Sequence, residues 1–377
     1  MYAQFAGTSL WFAGNAVLPA LQSTHQFSND SLGHITSAVQ LGFIIGTLVY
    51  AILSLADRYV PNRVFFVSAV AGAFFNVAIL LVDFTLTKLI IFRFLTGFFL
   101  AGIYPVGMKI AADWYEKGLG KALGFLVGAL VLGTAFPHLL NSLDAVLSWQ
   151  EVLLFVSVFA VSGGFLILLM PSGPYRRKAA KFKITAIADV FRVKPLLKSA
   201  IGYFGHMWEL YAFWAFVPWF LAFYASRNQV NINVSAWSFA IIAIGSLSCV
   251  FGGLLSLKRG SYFVAKNSLT LSGLACLFSP LLFLLPFPLV IVYLLFWGAT
   301  VIPDSPQFSS LVAASAPKEI IGTALTIVNC TGFTISVFSI QLFNYTSGIV
   351  GFEPYIFLLL LPGPLAGLWG IRGFVKN

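Results

Sequence analysis

Charge is scarce in this sequence. Only 9% of its 377 residues are Asp, Glu, Lys or Arg, while 59% are hydrophobic. An ordinary soluble domain carries roughly 25% charged residues, because its surface faces water. The composition therefore excludes an ordinary soluble domain and indicates an integral membrane protein.

Motifs that mark enzymes and nucleotide-driven pumps are absent as well. The sequence has no P-loop and no CxxC pair, and its three cysteines, Cys249, Cys276 and Cys330, all fall within apolar stretches. Cysteines in such positions are typical of core packing rather than of a disulfide or metal framework. The sequence therefore predicts no cofactor and no metal, and it excludes a pump with a nucleotide-binding domain within this chain.

Long apolar stretches are what the sequence has in abundance. A helix needs about 20 apolar residues to cross a bilayer, because only its own hydrogen bonds satisfy its backbone there. Twelve such stretches, separated by turn-forming and charged residues, predict an all-α protein with twelve transmembrane helices. Their approximate bounds are 2–21, 32–56, 64–82, 86–108, 119–143, 150–170, 199–225, 234–257, 267–285, 288–313, 320–344 and 351–371.

The net charge of +10 could suggest a nucleic-acid partner, but the distribution of the basic residues argues against one. If the first helix starts in the cytoplasm, 19 of the 22 Lys and Arg residues lie at cytoplasmic ends and loops. Lys88 and Arg227 lie outside, and Arg93 lies within a helix. This bias orients membrane helices, and it predicts a multi-pass protein of a bacterial inner membrane with both termini in the cytoplasm.

The chain divides into two similar halves. A basic polar stretch at 171–198, predicted to be a cytoplasmic linker, separates six helices in 1–170 from six in 199–377. Four matched features recur at offsets of 201, 198, 202 and 197 residues, which indicates a duplicated six-helix bundle. The matched pairs are Asp57 with Lys258, Pro105 with Pro303, Gly120 with Gly322, and Trp11 with Trp208.

Local motifs strengthen this interpretation. The loop LSLADRYVPNR after the second helix carries Asp57, Arg58 and Arg63, and the fourth helix has Arg93 followed by Gly97. With these motifs the chain resembles the major facilitator superfamily over essentially its whole length. Its fourth and fifth helices resemble the anion:cation-symporter and nitrate/nitrite-porter-like branches, although the nitrate-binding arginines of the second and eighth helices are missing. The resemblance implies two pseudo-symmetric six-helix bundles, a monomer, and a central cavity lined by helices 1, 4, 7 and 10.

Two acids lie deep in the predicted membrane region. Glu209 is the only acid in SAIGYFGHMWELYAFWAFVPWFLAFYAS, and Asp304 in VIPDSPQF falls at a similar depth on the tenth helix. Such an acid costs at least about 2.5–3.5 kcal/mol on insertion scales, so it normally faces a cavity and has a role. Burial favours the neutral form of a carboxyl group, which predicts proton coupling at both acids. His206, one turn before Glu209, could share its proton; alternatively these residues only fix packing.

Candidates for substrate contact and gating follow. Arg93 could hold an anionic substrate through a bidentate contact, or it could pair with a helix end. Asp57, Arg58, Arg63 and Asp113, all expected at the cytoplasmic face, could form a gate, or they could only set topology. The uncharged candidates for substrate contact are Trp11, Asn15, Gln40, Tyr104, Trp208, Tyr211 and Asn329.

These patterns favour a proton-coupled secondary active transporter that moves a small solute, most consistently an organic anion, by alternating access. Its expected partners are the solute, protons and membrane lipid. Within the same class, the two acids could instead serve a cation, an amphiphilic drug or a metal chelate. The alternative from another class is an integral membrane enzyme or receptor, for which the sequence carries no supporting motif.

Overall fold

The computed structural model describes residues 1–25, 27, 28, 30–83, 85–114, 119–143, 146–175, 191–351, 353 and 355–373. Within these residues all regular secondary structure is helical. The helices form twelve spans, which confirms the all-α prediction. In the described part of the chain, eight of the spans are long and apolar enough on their own to cross a membrane.

The spans are numbered here in chain order. Spans 1 to 6 are Tyr2–Thr8 with Ala13–His25, Ser31–Ile52, Pro61–Leu81, Leu86–Ala112, Leu119–Asn141 and Trp149–Leu169. Spans 7 to 12 are Lys194–Asn228, Val234–Arg259, Ser261–Phe278 with Ser279–Phe283, Phe287–Ser315, Lys318–Val350 and Ile356–Gly370.

One end of the bundle is basic. Spans 2, 4, 8 and 10 end there, and spans 3, 5, 9 and 11 begin there. We call it the basic end; the sequence analysis predicts that it faces the cytoplasm. The cationic side chains that define it include Arg58, Arg63, Lys109, Lys121, Lys258 and Arg259.

Three spans are interrupted near their middle. Span 1 is broken at 9–12, span 4 at 101–103 and span 10 at 301–304. Pro303 lies within the break of span 10, and the matched Pro105 lies in the first turn of the helix that follows the break of span 4. A proline removes a backbone donor and prevents a regular helix across the preceding turn. Each break leaves backbone groups at mid-membrane without their usual helical partners. These groups need side chains from neighbouring spans.

Spans 2 and 4 are in direct backbone contact. A Cβ atom added at Gly42 would lie 1.9 Å from the Phe94 carbonyl oxygen, and one added at Gly97 would lie 1.9 Å from the Val39 carbonyl oxygen. Only glycine allows this approach, which lets helices associate in lipid through packing alone. The two spans therefore pack as one unit at this contact.

We expect Gly42→Ala to disrupt this unit. Two backbones would have to separate, so the yield of folded protein and the apparent melting temperature in detergent should both fall markedly. Gly322→Ala is the matched control, because a Cβ at Gly322 meets nothing within 4 Å. Equal thermal stability of the two variants would contradict the proposed contact.

The most extensive contacts between the two halves lie along two pairs of spans. Span 5 packs on span 8, where a Cβ at Gly128 would lie 3.0 Å from the Ser246 carbonyl oxygen. Span 2 packs on span 11 near the end opposite the basic end, where Asn344 contacts Gly33. The predicted linker falls largely on residues 176–190, which lie outside the described residues, so the division at 171–198 stays a prediction.

Candidate functional site

A cavity of about 610 Å³ lies between the halves, on the side of the basic end. Spans 2, 4 and 5 line it from one half, and spans 7, 10 and 11 from the other. Asn329 accepts a hydrogen bond from the Tyr203 hydroxyl at 2.8 Å. The polar lining residues are Thr47, Tyr104, Lys109, Tyr203, Ser309, Ser310, Thr326 and Asn329. Among these eight polar lining residues, only Lys109 carries a charge.

Aromatic side chains close the cavity toward the opposite end. We call Trp11, Phe43, Tyr211, Trp214 and Phe333 the aromatic plug. Trp11 stacks on Tyr211 with ring centroids 5.7 Å apart, and Phe43 contacts Phe333 at 4.6 Å. Both pairs join one half to the other. The indole nitrogens of Trp11 and Trp214 are buried without an acceptor among the described residues, so the plug retains unused donors.

Hydrogen bonds between the halves hold the same region closed. Ser336 donates to the Gln40 side-chain oxygen at 2.7 Å. Further toward the opposite end, Gln341 donates to Ser37 at 2.7 Å and to the Gly33 carbonyl at 3.0 Å. The cavity and these contacts together describe an arrangement that is open on the basic side and closed on the other.

Accessibility of engineered cysteines should follow this asymmetry. The native cysteines are all buried, so they give a low background. A thiol at Thr326→Cys, on the cavity wall, should react with a charged methanethiosulfonate reagent at least about tenfold faster than one at the fully buried Ser336→Cys, because access controls thiol reactivity. Labelling rates in detergent measure this. Equal rates at the two positions would mean that the closed region is open in solution.

The two predicted acids lie on neighbouring spans, Glu209 on span 7 and Asp304 in the break of span 10, and they face different partners. His206 Nδ1 lies 2.8 Å from Asp304 Oδ1, and each residue is 1% exposed. Asp304 stands in the break of span 10, at the start of the helix Ser305–Ser315, where the helix dipole favours a negative charge. Tyr203, whose ring centroid is 5.9 Å from that of His206, separates this pair from the cavity.

Glu209 is oriented away from the cavity. Its carboxylate accepts hydrogen bonds from Trp297 Nε1 at 2.6 Å, from the Ser272 hydroxyl at 2.9 Å and from Cys276 Sγ at 3.4 Å. The contacts bind span 7 to spans 9 and 10. The sequence analysis allowed His206 to share a proton with Glu209; in the structure His206 instead faces Asp304, because the break in span 10 brings that carboxylate to it.

Arg93 is 2% exposed and lies at the break in span 1. Its guanidinium donates to the carbonyl oxygens of Leu10 at 2.8 Å and Trp11 at 2.6 Å, and to the Asn76 side-chain oxygen at 2.9 Å. It therefore supplies the donors that the broken helix lacks. Of the two sequence-based alternatives for Arg93, this geometry matches the pairing with a helix end rather than contact with a substrate in the cavity.

Comparisons with known proteins identify the family. The sequence profile of the Major Facilitator Superfamily matches residues 1–340. The chain belongs to the Major Facilitator Superfamily. This confirms the family resemblance, while the resemblance to particular branches stays a prediction.

Similar structures support the fold of this facilitator. It superposes on the proton:xylose symporter XylE of E. coli, bound to 6-bromo-6-deoxy-D-glucose, with a TM-score of 0.77 and 14% identity, over 100% of this chain and 94% of that one. It also superposes on the transporter FucP in its outward conformation, with a TM-score of 0.68 and 13% identity, over 100% of this chain and 99% of that one. At these identities the likeness shows the fold alone. An uncharacterized protein of Campylobacter jejuni is 24% identical over 281 residues, which is 71% of this chain and 83% of the relative.

The remaining substrate-contact candidates of the facilitator are scattered. Tyr104 and Asn329 line the cavity, and Trp11 and Tyr211 belong to the plug. Gln40 joins the halves, whereas Asn15 donates to Thr36 within the first half at 2.6 Å. Trp208 points away and donates to the Leu359 carbonyl of span 12 at 2.9 Å. The structure thus places four of the seven residues at the cavity or in the plug that closes it, and Gln40 in a contact between the halves. Trp208 and Asn15 are separated from both.

The four residues of the predicted gate lie in different environments. Asp57 forms an ion pair with Lys109 at the mouth of the cavity. Arg58 and Arg63 are exposed on the outer surface. Asp113 is buried at the end of span 4, where its backbone carbonyl accepts a hydrogen bond from the Tyr175 amide at 2.9 Å. The observed partner of Asp57 is thus Lys109, a residue outside the predicted gate.

Spacing in the sequence could have identified Tyr203, because it precedes His206 by three residues on one helix face. Trp297, a partner of Glu209, was also missed, and it lies on the helix before the break in span 10. Ser272 and Cys276, the other partners of Glu209, lie on span 9, and no pattern in the sequence relates them to that acid.

Proposed function

We propose that this facilitator is a proton-coupled secondary transporter of a small polar solute, working by alternating access. The observation that carries the proposal is the buried pair of His206 and Asp304, which lies next to Tyr203, a residue of the cavity wall between the two halves. A buried carboxylate is costly and normally functional in a membrane. A carboxyl group that exchanges a proton as the cavity changes sides would couple solute movement to a proton gradient.

Each residue has a defined part in this proposal. Asp304 takes up and releases the proton, and His206 stabilises its charged form. Tyr203 lies between the pair and the cavity, where it is placed to respond to an arriving solute. Glu209, satisfied by three donors, is the second coupling candidate and would exchange its proton only if those contacts opened.

The polar groups of the cavity lining are mostly uncharged, so they favour a solute with uncharged polar groups over a charged one. Seven of the eight polar lining residues have hydroxyl or amide side chains, and they lie among ten residues without a polar side chain. Tyr104 also offers an aromatic face. An organic anion is the second candidate, since Lys109 is a cation in the lining. Its ion pair with Asp57 would have to exchange for the anion, and Arg93 is already occupied by span 1.

Reconstitution into liposomes would test the proposal. A panel of neutral polyhydroxylated solutes, organic anions and organic cations would be added while an external electrode records proton movement. We expect one class to drive proton uptake, and a neutral solute should remain a substrate of Lys109→Gln, whereas an anion should not. Solute uptake without any proton movement, at several pH gradients, would contradict proton coupling.

A further inference from the structure

An open groove of about 410 Å³ lies on the outer surface at the basic end, between the end of span 2 and the first turns of span 3. Leu55, Val64 and Val67 form its apolar wall. Val67 and Tyr59 are each 60% exposed. Within a bilayer this wall would face acyl chains, because it belongs to the outer side of a spanning helix.

Two cations stand at the rim of the groove. Arg58 and Arg63 are both exposed and both line it. Within the part of the chain that the structure describes, neither forms an ion pair, and the neighbouring Asp57 contacts Lys109 on the cavity side. The groove therefore combines two available guanidinium groups with an apolar wall at the depth where a span ends.

We propose that this groove binds an anionic phospholipid. The phosphate would accept hydrogen bonds from Arg58 and Arg63, since a guanidinium matches phosphate oxygens in a bidentate manner. One acyl chain would lie along Val64 and Val67. Charge complementarity favours a lipid over a protein partner, because the cationic rim and the apolar wall follow the order of headgroup and chain in a leaflet. The basic end is also the end predicted to face the anionic cytoplasmic leaflet.

Native mass spectrometry of the purified full chain would test this proposal. The protein would be released from nanodiscs of phosphatidylcholine containing phosphatidylglycerol, and retained lipids would be counted. The variant Arg58→Gln/Arg63→Gln should bind phosphatidylglycerol at least about tenfold more weakly, since each lost hydrogen bond to a charged group is worth about that factor. Lys258→Gln/Arg259→Gln, which removes the basic pair at the matched position of the second half, should retain wild-type binding.

Two further measurements distinguish the outcomes. Val67→Asn leaves the charge intact and should weaken phosphatidylglycerol retention without changing the response to inorganic phosphate. The proposal is overturned if the arginine variant retains phosphatidylglycerol like the wild type, if phosphatidylcholine is retained equally well, or if millimolar inorganic phosphate displaces the lipid completely. The last result would identify a phosphate site rather than a lipid site.

Discussion

Asp304→Asn should abolish uphill accumulation of the solute under a pH gradient: the internal solute concentration should not exceed the external one, as in protein-free liposomes. Downhill exchange of solute should persist. An amide has nearly the shape of the carboxyl group but does not ionise. The variant can therefore still change conformation around its ligand, yet it cannot carry a proton between the two sides.

The fold should survive this substitution. His206 lies 2.8 Å from Asp304, and an ion pair that loses one charge usually leaves the other buried at a cost of about 3–5 kcal/mol. A histidine avoids this cost because it can become neutral. The ring of His206 can then donate a hydrogen bond to the oxygen of the introduced amide. The apparent melting temperature should consequently change little.

Asp83→Asn is the matched control, since Asp83 is an exposed acid near the opposite end. Uphill accumulation should be normal in this variant. If Asp304→Asn also accumulates solute against its gradient, Asp304 is a packing residue. Glu209→Gln would then be the next variant to examine for loss of coupling.

Arg93→Met should be among the most destabilising substitutions in the chain. It leaves three buried acceptors, the carbonyls of Leu10 and Trp11 and the Asn76 side chain, without their donor. Each such acceptor costs about 1–3 kcal/mol. We therefore expect loss of most folded protein and a lower melting temperature, measured by size-exclusion chromatography and thermal unfolding in detergent.

Two variants distinguish this structural role from anion binding. Arg93→Lys keeps the charge but lacks the fork that reaches three acceptors, so its stability should lie between those of the wild type and Arg93→Met. Gly14→Ala should destabilise for the same reason, because a Cβ there would lie 2.9 Å from Arg93 Nε. A fully stable Arg93→Met that has lost only the transport of anions would contradict the structural role.

The sequence predicted the fold well because membrane helices are encoded by composition over long windows. Apolar length, basic loops and the repeated offsets were sufficient for twelve spans and two halves. The breaks in spans 4 and 10 were also foreseeable from Pro105 and Pro303. The break in span 1 was not, because it contains no proline and depends on Arg93 from another span.

Side-chain partners were harder to predict. Depth along a helix placed Glu209 and Asp304 at one level, but it could not give the direction of each carboxylate. That direction depends on residues distant in sequence, such as Ser272 for Glu209. For Trp208, a large ring beside an acid suggested the cavity, although the ring faces span 12. The face that a residue presents follows from helix rotation, which apolar spans encode weakly.

Span 10 contacts span 7 at two positions, one before the break at 301–304 and one at the last residue of the break. Above the break Trp297 binds Glu209, and at its lower edge Asp304 faces His206. Each half of span 10 thus has its own contact with span 7. A bend at 301–304 can therefore break the contact between His206 and Asp304 while Trp297 and Glu209 stay paired. The half that would move, Ser305–Ser315, is the one that contributes to the cavity wall.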